Sequence, residues 1–306
     1  MKILVTGGAG FIGSNIVDEL VNRGHSVAIV DNLSSGKKKN INPRARFYKA
    51  DITDAPAIDK IFRKERPEII EHLAAQIDVR KSVADPGFDA KVNILGTLNI
   101  LESGRKYGVK KVIFSSSGGT IYGDCGKKPP NESARGNPLS PYGIGKYAIE
   151  FYLNFYAELY GIKYTILRYA NVYGPRQDPH GEAGVVAIFA QRMLGNDSIL
   201  IFGNGSQTRD YVFVKDVVDA NIRALTRGDN EIINIGTGKL TSVRDLARMM
   251  SRSTGYKKAP VLKPARPGEL LRSFLDSRKA EKVLGWKPAV AIEKGLSVTL
   301  DYFKKP

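Results

Sequence analysis

Short apolar runs alternate with amphipathic stretches along the first two-thirds of the chain. The runs are rich in β-branched residues and have the length of buried strands, whereas the amphipathic stretches repeat their apolar positions with helical spacing. The pattern predicts strands over residues 2–6, 26–31, 46–50, 68–73, 111–115 and 163–168. It predicts helices over residues 11–23, 92–107 and 142–160. This alternation predicts an α/β fold in which a doubly wound parallel sheet is covered on both faces.

The composition changes after the last of these strands. Residues 173–184 are rich in glycine and proline, which is typical of a long irregular loop, and such loops are often functional. Residues 259–269 are rich in Pro, Lys and Arg and show no periodicity. We therefore predict a smaller, partly interleaved C-terminal substrate domain. It comprises residues 169–207 and 240–306, beside a sheet domain of residues 1–168 and 208–239.

The chain is strongly basic, with 47 Lys and Arg against 31 Asp and Glu and a net charge of +16. This charge is compatible with nucleic-acid binding. It is also compatible with a surface whose charges are mostly solvated and on which a few Lys or Arg side chains bind the phosphates of a small ligand. The basic residues are spread along the chain, and the densest run, Lys37-Lys38-Lys39, is short. We therefore expect no nucleic-acid partner, because net charge alone bears on solubility and steering.

Three features indicate a cytoplasmic location. No run of 18 apolar residues occurs, so no membrane span is expected. The first residues lead directly into a strand and a glycine loop, so no signal peptide is expected. Cys125 is the only cysteine, which excludes an internal disulfide and a zinc cluster and favours a reducing compartment. No metal site is expected.

Three glycines lie between the first predicted strand and the first predicted helix, at positions 7, 10 and 13. Gly7 permits a tight turn, Gly10 lets the backbone approach a pyrophosphate, and Gly13 lets the helix pack close to the strand. The N-terminus of the helix then offers unpaired N–H groups and a partial positive charge to phosphates. The spacing predicts a dinucleotide-binding loop of the Rossmann kind.

An acidic residue ends the second predicted strand. Asp31 lies 18 residues after Gly13, where a carboxylate accepts both ribose hydroxyls of adenosine. It also repels a 2′-phosphate, and no Arg follows immediately, so we expect NAD rather than NADP as the cofactor. The alternative is a glycine turn with a helix-capping Asp.

Further cofactor contacts are expected where the next strands end. Asp51 and Ile52 follow the third strand and are candidates for the adenine side, although Asp51 is equally placed to cap the following helix. Small residues at the end of the fourth strand would let a dinucleotide lie across the strand ends. These residues are Leu73, Ala74 and Ala75. Asn93 is a polar residue inside an apolar helix, either a cofactor contact or a buried structural hydrogen bond.

A tyrosine and a lysine lie four residues apart on the helix predicted over residues 142–160. At that spacing Tyr142 and Lys146 share a face. The lysine cation, together with the positive charge of oxidised nicotinamide, favours the phenolate, so we expect the pKa of Tyr142 to be lowered. Such a phenolate can take a proton from an alcohol while hydride leaves the same carbon. The alternative is a surface Tyr and Lys on an amphipathic helix.

A run of three serines, at positions 115–117, begins at the last residue of the strand predicted over residues 111–115. Strand ends border the ligand crevice of such a sheet. One hydroxyl among Ser115, Ser116 and Ser117 is therefore expected to hydrogen-bond the reacting oxygen.

The motifs occur together over essentially the whole chain. They are TGGAGFIGS (6–14), Asp31-Asn32, SSS (115–117), YGIGK (142–146), LRYANVYGPRQ (167–177), GNGSQTRDYVFVKDV (203–217) and NIGTG (234–238). In this combination the chain resembles the extended short-chain dehydrogenase/reductase family. Within it, the chain is most similar to UDP-glucose 4-epimerases of the bacterial and archaeal kind.

The resemblance implies a catalytic set. Tyr142 would be the base, Lys146 its partner and Ser117 the hydroxyl that assists. The chain has one residue more than many epimerases after Ser117, so the choice between Ser116 and Ser117 stays open. The remaining cofactor contacts that the resemblance implies are Phe11, Ile12, Asn32, Ser35, Gly36, Ser115 and Tyr169.

The resemblance also narrows the reaction. Relatives that dehydrate or decarboxylate sugars carry an acid just after the catalytic hydroxyl, and here Gly118 and Gly119 occupy that place. This favours inversion at C4 of a UDP-hexose, by hydride removal to NAD and return through a 4-keto sugar. One alternative is another nucleotide-sugar enzyme, acting on UDP-glucuronate or a dTDP-sugar. A second is a non-catalytic dinucleotide- or RNA-binding protein.

The second domain is expected to hold the UDP-sugar. Candidate contacts are Asn171, Gly184, Val185, Leu200, Phe202, Arg209, Arg266, Glu269 and Arg272. The arginines would pair with diphosphate oxygens, or else be solvated surface charges, and Glu269 would accept ribose hydroxyls. Tyr211 is expected to pack in the core. Ser273 is small where some epimerases carry a bulky residue, so N-acetylated UDP-sugars are expected to fit.

Two helices with wide apolar faces indicate a homodimer. They are the helices predicted over residues 92–107 and 142–160. Relatives pair these helices in a four-helix contact. The alternative is that the helices only cover their own sheet.

Overall fold

The computed structural model describes residues 1–124, 126–180, 184–265 and 270–304. The strands in this part of the chain are β1 (Lys2–Thr6), β2 (Ser26–Asp31), β3 (Arg46–Lys49), β4 (Ile69–His72), β5 (Lys111–Ser117), β6 (Lys163–Tyr169), β7 (Asn171–Tyr173), β8 (Leu200–Phe202), β9 (Thr208–Arg209), β10 (Tyr211–Phe213), β11 (Glu231–Ile235), β12 (Thr241–Ser242), β13 (Val261–Lys263) and β14 (Arg272–Ser273). The helices are α1 (Phe11–Asn22), α2 (Ala55–Glu65), α3 (Val79–Ala84), α4 (Pro86–Ala90), α5 (Gly96–Lys106), α6 (Gly118–Ile121), α7 (Pro141–Tyr160), α8 (Val185–Leu194), α9 (Val214–Ala224), α10 (Val243–Thr254), α11 (Arg278–Leu284) and α12 (Ile292–Phe303). A short 3₁₀ turn covers Lys38–Asn40, and a π-helical segment, Lys91–Leu95, joins α4 to α5.

Seven strands form one parallel sheet in the order β3-β2-β1-β4-β5-β6-β11. All six neighbouring pairs run parallel; Ile3, for example, is in register with Val27 on one side and Ile69 on the other. This confirms the predicted α/β fold with a Rossmann-like sheet. The strand order reverses between β1 and β4, and ligands bind at such switch points, beyond the carboxyl ends of the strands.

The sheet is buried on both faces by two apolar cores. On one face α1 and α9 cover the strands, with Ile16, Leu20 and Val217 inaccessible to solvent. The opposite face is covered by α2, α5 and α7 and includes Phe62 and Leu153. Burying one such side chain contributes about 1.5–3 kcal/mol. Because both faces of the sheet are buried, its strands appear in the sequence as nearly continuous apolar runs.

Short strands and three helices surround a third apolar core. The helices are α8, α10 and α12, and the core includes Phe189 and Leu246. The strands pair as β7 with β10, β8 with β13, and β9 with both β12 and β14. The segment around α11 packs instead against the sheet, where Trp286 Nε1 donates to the carbonyl oxygen of Asp216 at 2.8 Å.

Several predicted boundaries move by one to four residues. The fifth strand runs on to Ser117, so the three serines lie within it. The helix predicted from residue 92 begins as the π segment and becomes regular α-helix only at Gly96. No helix in the described ranges is both long and apolar enough to cross a bilayer.

Candidate active site

The glycine loop joins β1 to α1 at the switch point of the sheet. Gly7 has a φ of +71°, and a Cβ at this position would lie 2.8 Å from the backbone nitrogen of Ala74. A Cβ on Gly13 would lie 2.2 Å from the carbonyl oxygen of Gly7. Both positions therefore need glycine. Gly10 is the N-cap of α1, and no side chain caps the helix. The first backbone N–H groups of α1 therefore point out of the helix end, and Phe11 and Ile12 lie in this first turn.

Asp31 ends β2 and is only 7% exposed. Its Oδ2 accepts from the Ala9 amide at 3.0 Å and its Oδ1 from the Leu33 amide at 2.8 Å. A Cβ on Gly36 would lie 2.8 Å from Oδ1, so the loop carrying Ser35 and Gly36 closes over the carboxylate. Each oxygen keeps a lone pair, and a ribose hydroxyl could use it.

Asn32 and Asp51 meet beside this loop. The Asn32 amide donates to Asp51 Oδ2 at 2.8 Å, and the Thr53 amide donates to Oδ1 at 2.8 Å. Burial opposes ionisation, but these hydrogen bonds hold the pKa of Asp51 below its usual value. Asp54, not Asp51, caps α2, since its Oδ1 accepts from the Ala57 amide. The helix-cap alternative for Asp51 is therefore wrong.

The end of β4 is tied to β1 through a buried histidine. The Leu73 and Ala74 amides both donate to Thr6 Oγ1 at 3.2 Å, and that hydroxyl is 2.7 Å from His72 Nδ1. His72 Nε2 is 2.8 Å from Thr97 Oγ1. Burial lowers the pKa of His72 to about 3, so the ring is neutral. The chain of bonds fixes Leu73 and Ala74 beside Gly7, with Ala75 next along the chain.

Asn93 lies in the π segment and is buried. Its Oδ1 accepts from the Gln76 amide at 2.8 Å, and its Nδ2 donates to the Gln76 carbonyl at 3.0 Å and to Asp89 Oδ1 at 2.9 Å. Asn93 thus forms buried structural hydrogen bonds, which is the second of the two roles predicted for it from the sequence. π turns within helices are frequent at functional sites, and this one lies against α7.

Tyr142 and Lys146 lie in the first two turns of α7. Ser140 caps the helix, accepting from the Gly143 amide at 3.2 Å. Lys146 Nζ donates to the Ser115 carbonyl at 2.8 Å and lies 6.0 Å from the centre of the Tyr142 ring. Burial lowers the pKa of Lys146 to about 8, while the carboxylates of Asp89 and Glu150 oppose that decrease.

The pKa of Tyr142 does not follow the expectation from the sequence. Burial, and secondly the Asp89 carboxylate, raise it above that of free tyrosine. The reason is that burial disfavours the phenolate, and a sequence pattern does not show burial. The polypeptide alone therefore keeps Tyr142 protonated.

The serines of β5 point to alternate faces. Ser116 is buried and donates to Glu150 Oε1 at 2.7 Å, and Glu150 forms an ion pair with Arg168. Ser115 and Ser117 share the other face. The Ser115 hydroxyl is 3.1 Å from that of Tyr169, which donates to Asn221. Ser117 is half-buried at the strand end, so the geometry favours Ser117 over Ser116.

Strand β14 approaches the turn after Ser117. A Cβ on Gly118 would lie 2.6 Å from the Leu275 side chain, and one on Gly119 would lie 3.5 Å from Ser273 Oγ. β14 pairs with β9, which puts Ser273 in register with Arg209. Ser273 is thus a small residue beside the candidate catalytic hydroxyl.

The other substrate candidates are spread over the second group of elements. Asn171 is exposed at the start of β7, and Arg209 is half-buried on β9, with Nη1 donating to the Thr208 carbonyl. Arg272 is exposed on β14. Gly184 and Val185 begin α8, and Leu200 and Phe202 lie on β8. Arg266 and Glu269 lie outside the described residues, as does Cys125. Tyr211 is buried in the third core, as predicted.

Two buried carboxylates near Lys146 are not among the residues predicted from the sequence: Asp89 on α4 and Glu150 on α7 itself. Each could have been found from its spacing, because Asp89 precedes Asn93 by four residues and Glu150 follows Lys146 by four. Within the described residues, no cluster of His, Cys, Asp and Glu could hold a metal ion.

The chain is similar in sequence and in fold to known proteins. The model of the NAD dependent epimerase/dehydratase family matches residues 3–236. A putative UDP-glucose 4-epimerase from Methanocaldococcus jannaschii is 51% identical over 99% of this chain and 98% of its own length. The crystal structure of a Thermotoga maritima UDP-glucose 4-epimerase with UDP-glucose has a TM-score of 0.98 and 56% identity, over 100% of this chain and 99% of that one. A Thermus thermophilus UDP-glucose 4-epimerase in complex with NAD has a TM-score of 0.95 and 44% identity over the same shares.

Proposed function

Because the chain belongs to the NAD dependent epimerase/dehydratase family, we propose that it is an enzyme that inverts C4 of UDP-hexoses and interconverts UDP-glucose and UDP-galactose. The observation that carries this proposal is the hydrogen bond from Lys146 Nζ to the Ser115 carbonyl, which holds the helix of Tyr142 and Lys146 against the strand that ends at Ser117. This strand lies in the same parallel sheet as β1, which the glycine loop follows. The relatives with UDP-glucose and NAD share this fold over almost their entire length.

The residues of the loop fit NAD. The turn at Gly7, the close packing at Gly13 and the uncapped N-terminus of α1 suit a pyrophosphate, and the enclosed Asp31 carboxylate suits an adenosine ribose. We propose that the group is held by Gly7, Gly10, Phe11, Ile12, Gly13, Asp31, Asn32, Ser35, Gly36, Asp51, Ile52, Leu73, Ala74, Ala75, Asn93, Ser115, Tyr142, Lys146 and Tyr169. When bound there, NAD would supply the acceptor and donor for the hydride of C4 of the sugar.

The protein's own groups manage the proton. Tyr142 takes the proton of the 4-hydroxyl as the C4–H bond breaks, and gives it back to the same oxygen after the 4-keto sugar has turned about its bond to the diphosphate. The ammonium of Lys146 stabilises the phenolate, and the Ser117 hydroxyl donates to the reacting oxygen. One proton and one hydride leave and return, so the reaction consumes nothing.

The turn at Gly118 favours epimerisation over elimination of water. Elimination needs an additional acid close to the catalytic hydroxyl to carry a proton. The Leu275 side chain occupies the space that a Cβ on Gly118 would need. An acidic side chain at this position would have to displace Leu275, so this turn supports a simple inversion.

We assign the UDP-sugar to the elements around the third core and NAD to the sheet. The division is that proposed from the sequence, with residues 1–168 and 208–239 for NAD and residues 169–207 and 240–306 for the substrate. The contacts to UDP-sugar come from Asn171, Gly184, Val185, Leu200, Phe202, Arg209, Arg266, Glu269 and Arg272. The exposure of Arg272 and Asn171 leaves their side chains available to a ligand.

The proposal is tested by incubating the purified protein with UDP-galactose and measuring UDP-glucose by NMR, first without added NAD. Conversion establishes the 4-epimerase and shows that the cofactor is retained. Conversion only after NAD is supplied establishes the activity with an exchangeable cofactor. No conversion in either case contradicts the proposal, and UDP-glucuronate and dTDP-glucose are then the substrates to try.

The small residue at position 273 makes N-acetylated UDP-hexoses additional substrates. Its side chain faces Gly119 beside Ser117, so a bulky group there would enter the space next to the sugar. Ser273→Tyr is expected to reduce kcat/KM for UDP-N-acetylglucosamine by about 100-fold and to leave that for UDP-galactose within about threefold. If the unmodified enzyme turns over UDP-galactose but not UDP-N-acetylglucosamine, the idea is wrong.

We further propose a homodimer in the cytoplasm. The location is supported by the lone cysteine among 306 residues. The dimer is supported by an exposed apolar stripe on α7, on the side opposite the face buried against the sheet. Its members are Ile144, Phe151, Phe155 and Leu159, and Val83, Phe88 and Leu95 are exposed on the neighbouring helical segments. Patches of this kind mark association surfaces.

The double substitution Phe151→Glu and Phe155→Glu is expected to convert the dimer to a monomer. In a single chain Phe151 is 64% exposed and Phe155 is 47% exposed. The substitutions therefore do not disturb the buried core, and we expect the fold to be retained. Sedimentation velocity measures the outcome, with Tyr302→Glu as a control on α12. A monomeric parent protein would contradict the proposed dimer.

A further inference from the structure

A buried carboxylate faces the catalytic helix from the segment that precedes the π turn. Asp89 lies on α4 and is only 1% exposed. Its Oδ1 accepts from Gln76 Nε2 at 3.0 Å and from Asn93 Nδ2 at 2.9 Å. Both donors are neutral amides, so these bonds solvate the charge without cancelling it. A buried carboxylate held in this way calls for a reason, because burying a charge costs several kcal/mol.

The second carboxylate oxygen points at α7. An ideal Cβ on Gly145 would lie 3.5 Å from Asp89 Oδ2. Gly145 lies between Tyr142 and Lys146 in the sequence, and its missing side chain leaves the carboxylate next to the backbone of the helix. The bonds between Asn93 and the Gln76 backbone hold the π turn, and with it Asp89, in this position.

The charge of Asp89 acts on both members of the catalytic pair. It raises the pKa of Tyr142, in the same direction as the larger effect of burial. It also raises the pKa of Lys146, against burial, which lowers it to about 8. The two effects share one sign because an anion disfavours the phenolate and favours the ammonium.

Glu150 and His72 are two further titratable groups that interact with Lys146. Glu150, one turn along α7, also favours the ammonium, but it is engaged in an ion pair with Arg168 on β6, and both side chains are 3% exposed. His72 on β4 is neutral, since its pKa is about 3. On β5, the carbonyl of Ser115 accepts the Lys146 hydrogen bond, and the Phe114 ring centre lies 4.7 Å from Lys146 Nζ.

We propose that Asp89 is an electrostatic positioning residue, which keeps Lys146 charged in its buried site and limits the stability of the Tyr142 phenolate. The inference rests on the proposed function, in which Tyr142 must both take the proton and return it. A phenolate that is too stable would return the proton slowly, and a neutral lysine would not support the phenolate at all. Asp89 balances the two requirements, because reversible proton transfer is fastest when donor and acceptor are closely matched.

Asp89→Asn tests the proposal through the pH profile of kcat/KM for UDP-galactose. Asn keeps the shape and can accept the same two amide hydrogens, so the packing is retained. Loss of the anion moves the acid limb, governed by Tyr142, and the alkaline limb, governed by Lys146, both toward lower pH. We expect kcat/KM to rise on the acid limb and fall on the alkaline limb, each by roughly tenfold. A merely structural role would lower the profile without moving it.

Two further variants control the experiment. Asp85→Asn removes the same charge from an exposed position four residues earlier, and Asn also caps helices well, so the profile should stay in place. Asp89→Glu restores the anion and should move the limbs back toward their original pH. If Asp89→Asn does not fold, Asp89→Ser provides the same neutral substitution with a smaller side chain.

Direct titration of Lys146 separates this inference from the proposed function. The protein is labelled with 13C at lysine Cε, and the Lys146 signal is identified by its loss in Lys146→Met. A lower pKa of Lys146 in Asp89→Asn than in the unmodified protein supports the inference even if UDP-galactose is not turned over. An unchanged Lys146 pKa, or unchanged limbs in an active enzyme, overturns it.

Discussion

Tyr142→Phe is expected to reduce kcat for the interconversion of UDP-galactose and UDP-glucose by at least about a thousandfold. The substitution removes the only atom of the side chain that can take a proton, and general base catalysis contributes about 100-fold to 10,000-fold. The Phe ring keeps the packing beside Lys146. The melting temperature should therefore stay close to that of the unmodified protein.

The matched control is Tyr147→Phe, the same chemical change five residues further along α7. The ring of Tyr147 stacks edge-on with that of Phe151 and lies near the Arg168 guanidinium, contacts that a phenylalanine preserves. This variant should keep most of the activity. If Tyr142→Phe retained more than a tenth of kcat, the base would have to be sought elsewhere, with Ser117 the first group to test.

The sheet could be predicted because its signal is local. Strands buried on both faces are near-continuous apolar runs, and β1 and β2 end where these runs end. The glycine loop is local as well, because the positions of Gly7 and Gly13 between a strand and a helix already indicate a close backbone approach. The structure shows this approach, since a Cβ on Gly13 would lie 2.2 Å from the carbonyl oxygen of Gly7. Asp31 could be placed because it ends the neighbouring strand.

The environment of the catalytic pair could not be predicted in the same way. Asp89 acts on Lys146 across 57 positions of sequence, and its approach depends on the π turn and on the absence of a side chain at Gly145. The sign of the Tyr142 pKa shift depends on burial, which only the packed structure reveals. Spacing therefore indicated which groups would do the chemistry, but not the electrostatic field in which they work.

The choice between Ser116 and Ser117 also depended on the structure. Sequence periodicity ended the strand at residue 115, whereas hydrogen bonds to β6 extend it to Ser117. Because side chains alternate along a strand, this extension determines that Ser116 faces Glu150 and that Ser117 lies on the opposite face. Similarly, the partner of Gly119 is Ser273, more than 150 residues away, and the contact arises because β14 pairs with β9.

Gly13→Ala is expected to weaken NAD binding by at least about 100-fold. The added methyl group would lie 2.2 Å from the carbonyl oxygen of Gly7 and 3.1 Å from the Cα of Gly8. These are backbone atoms of the loop, which cannot rotate away as a side chain can. Helix α1 therefore has to shift away from the loop, and its first N–H groups are no longer positioned to bind the pyrophosphate. A 100-fold loss corresponds to about 3 kcal/mol, and overpacking of this kind also lowers the free energy of unfolding by about 1–3 kcal/mol.

Isothermal titration with NAD, on protein stripped of bound nucleotide, measures this effect. Gly87→Ala is the matched control, because a Cβ there meets only Asp85 Oδ1, at 3.6 Å, and Gly87 does not have a positive φ. That variant should bind NAD as the unmodified protein does. If Gly13→Ala is folded by circular dichroism and binds NAD normally, the turn between β1 and α1 does not hold the dinucleotide, and the cofactor assignment made from Gly7 to Gly13 is wrong. If it loses NAD and epimerase activity together, and added NAD at high concentration restores part of the activity, the loop acts through cofactor affinity alone.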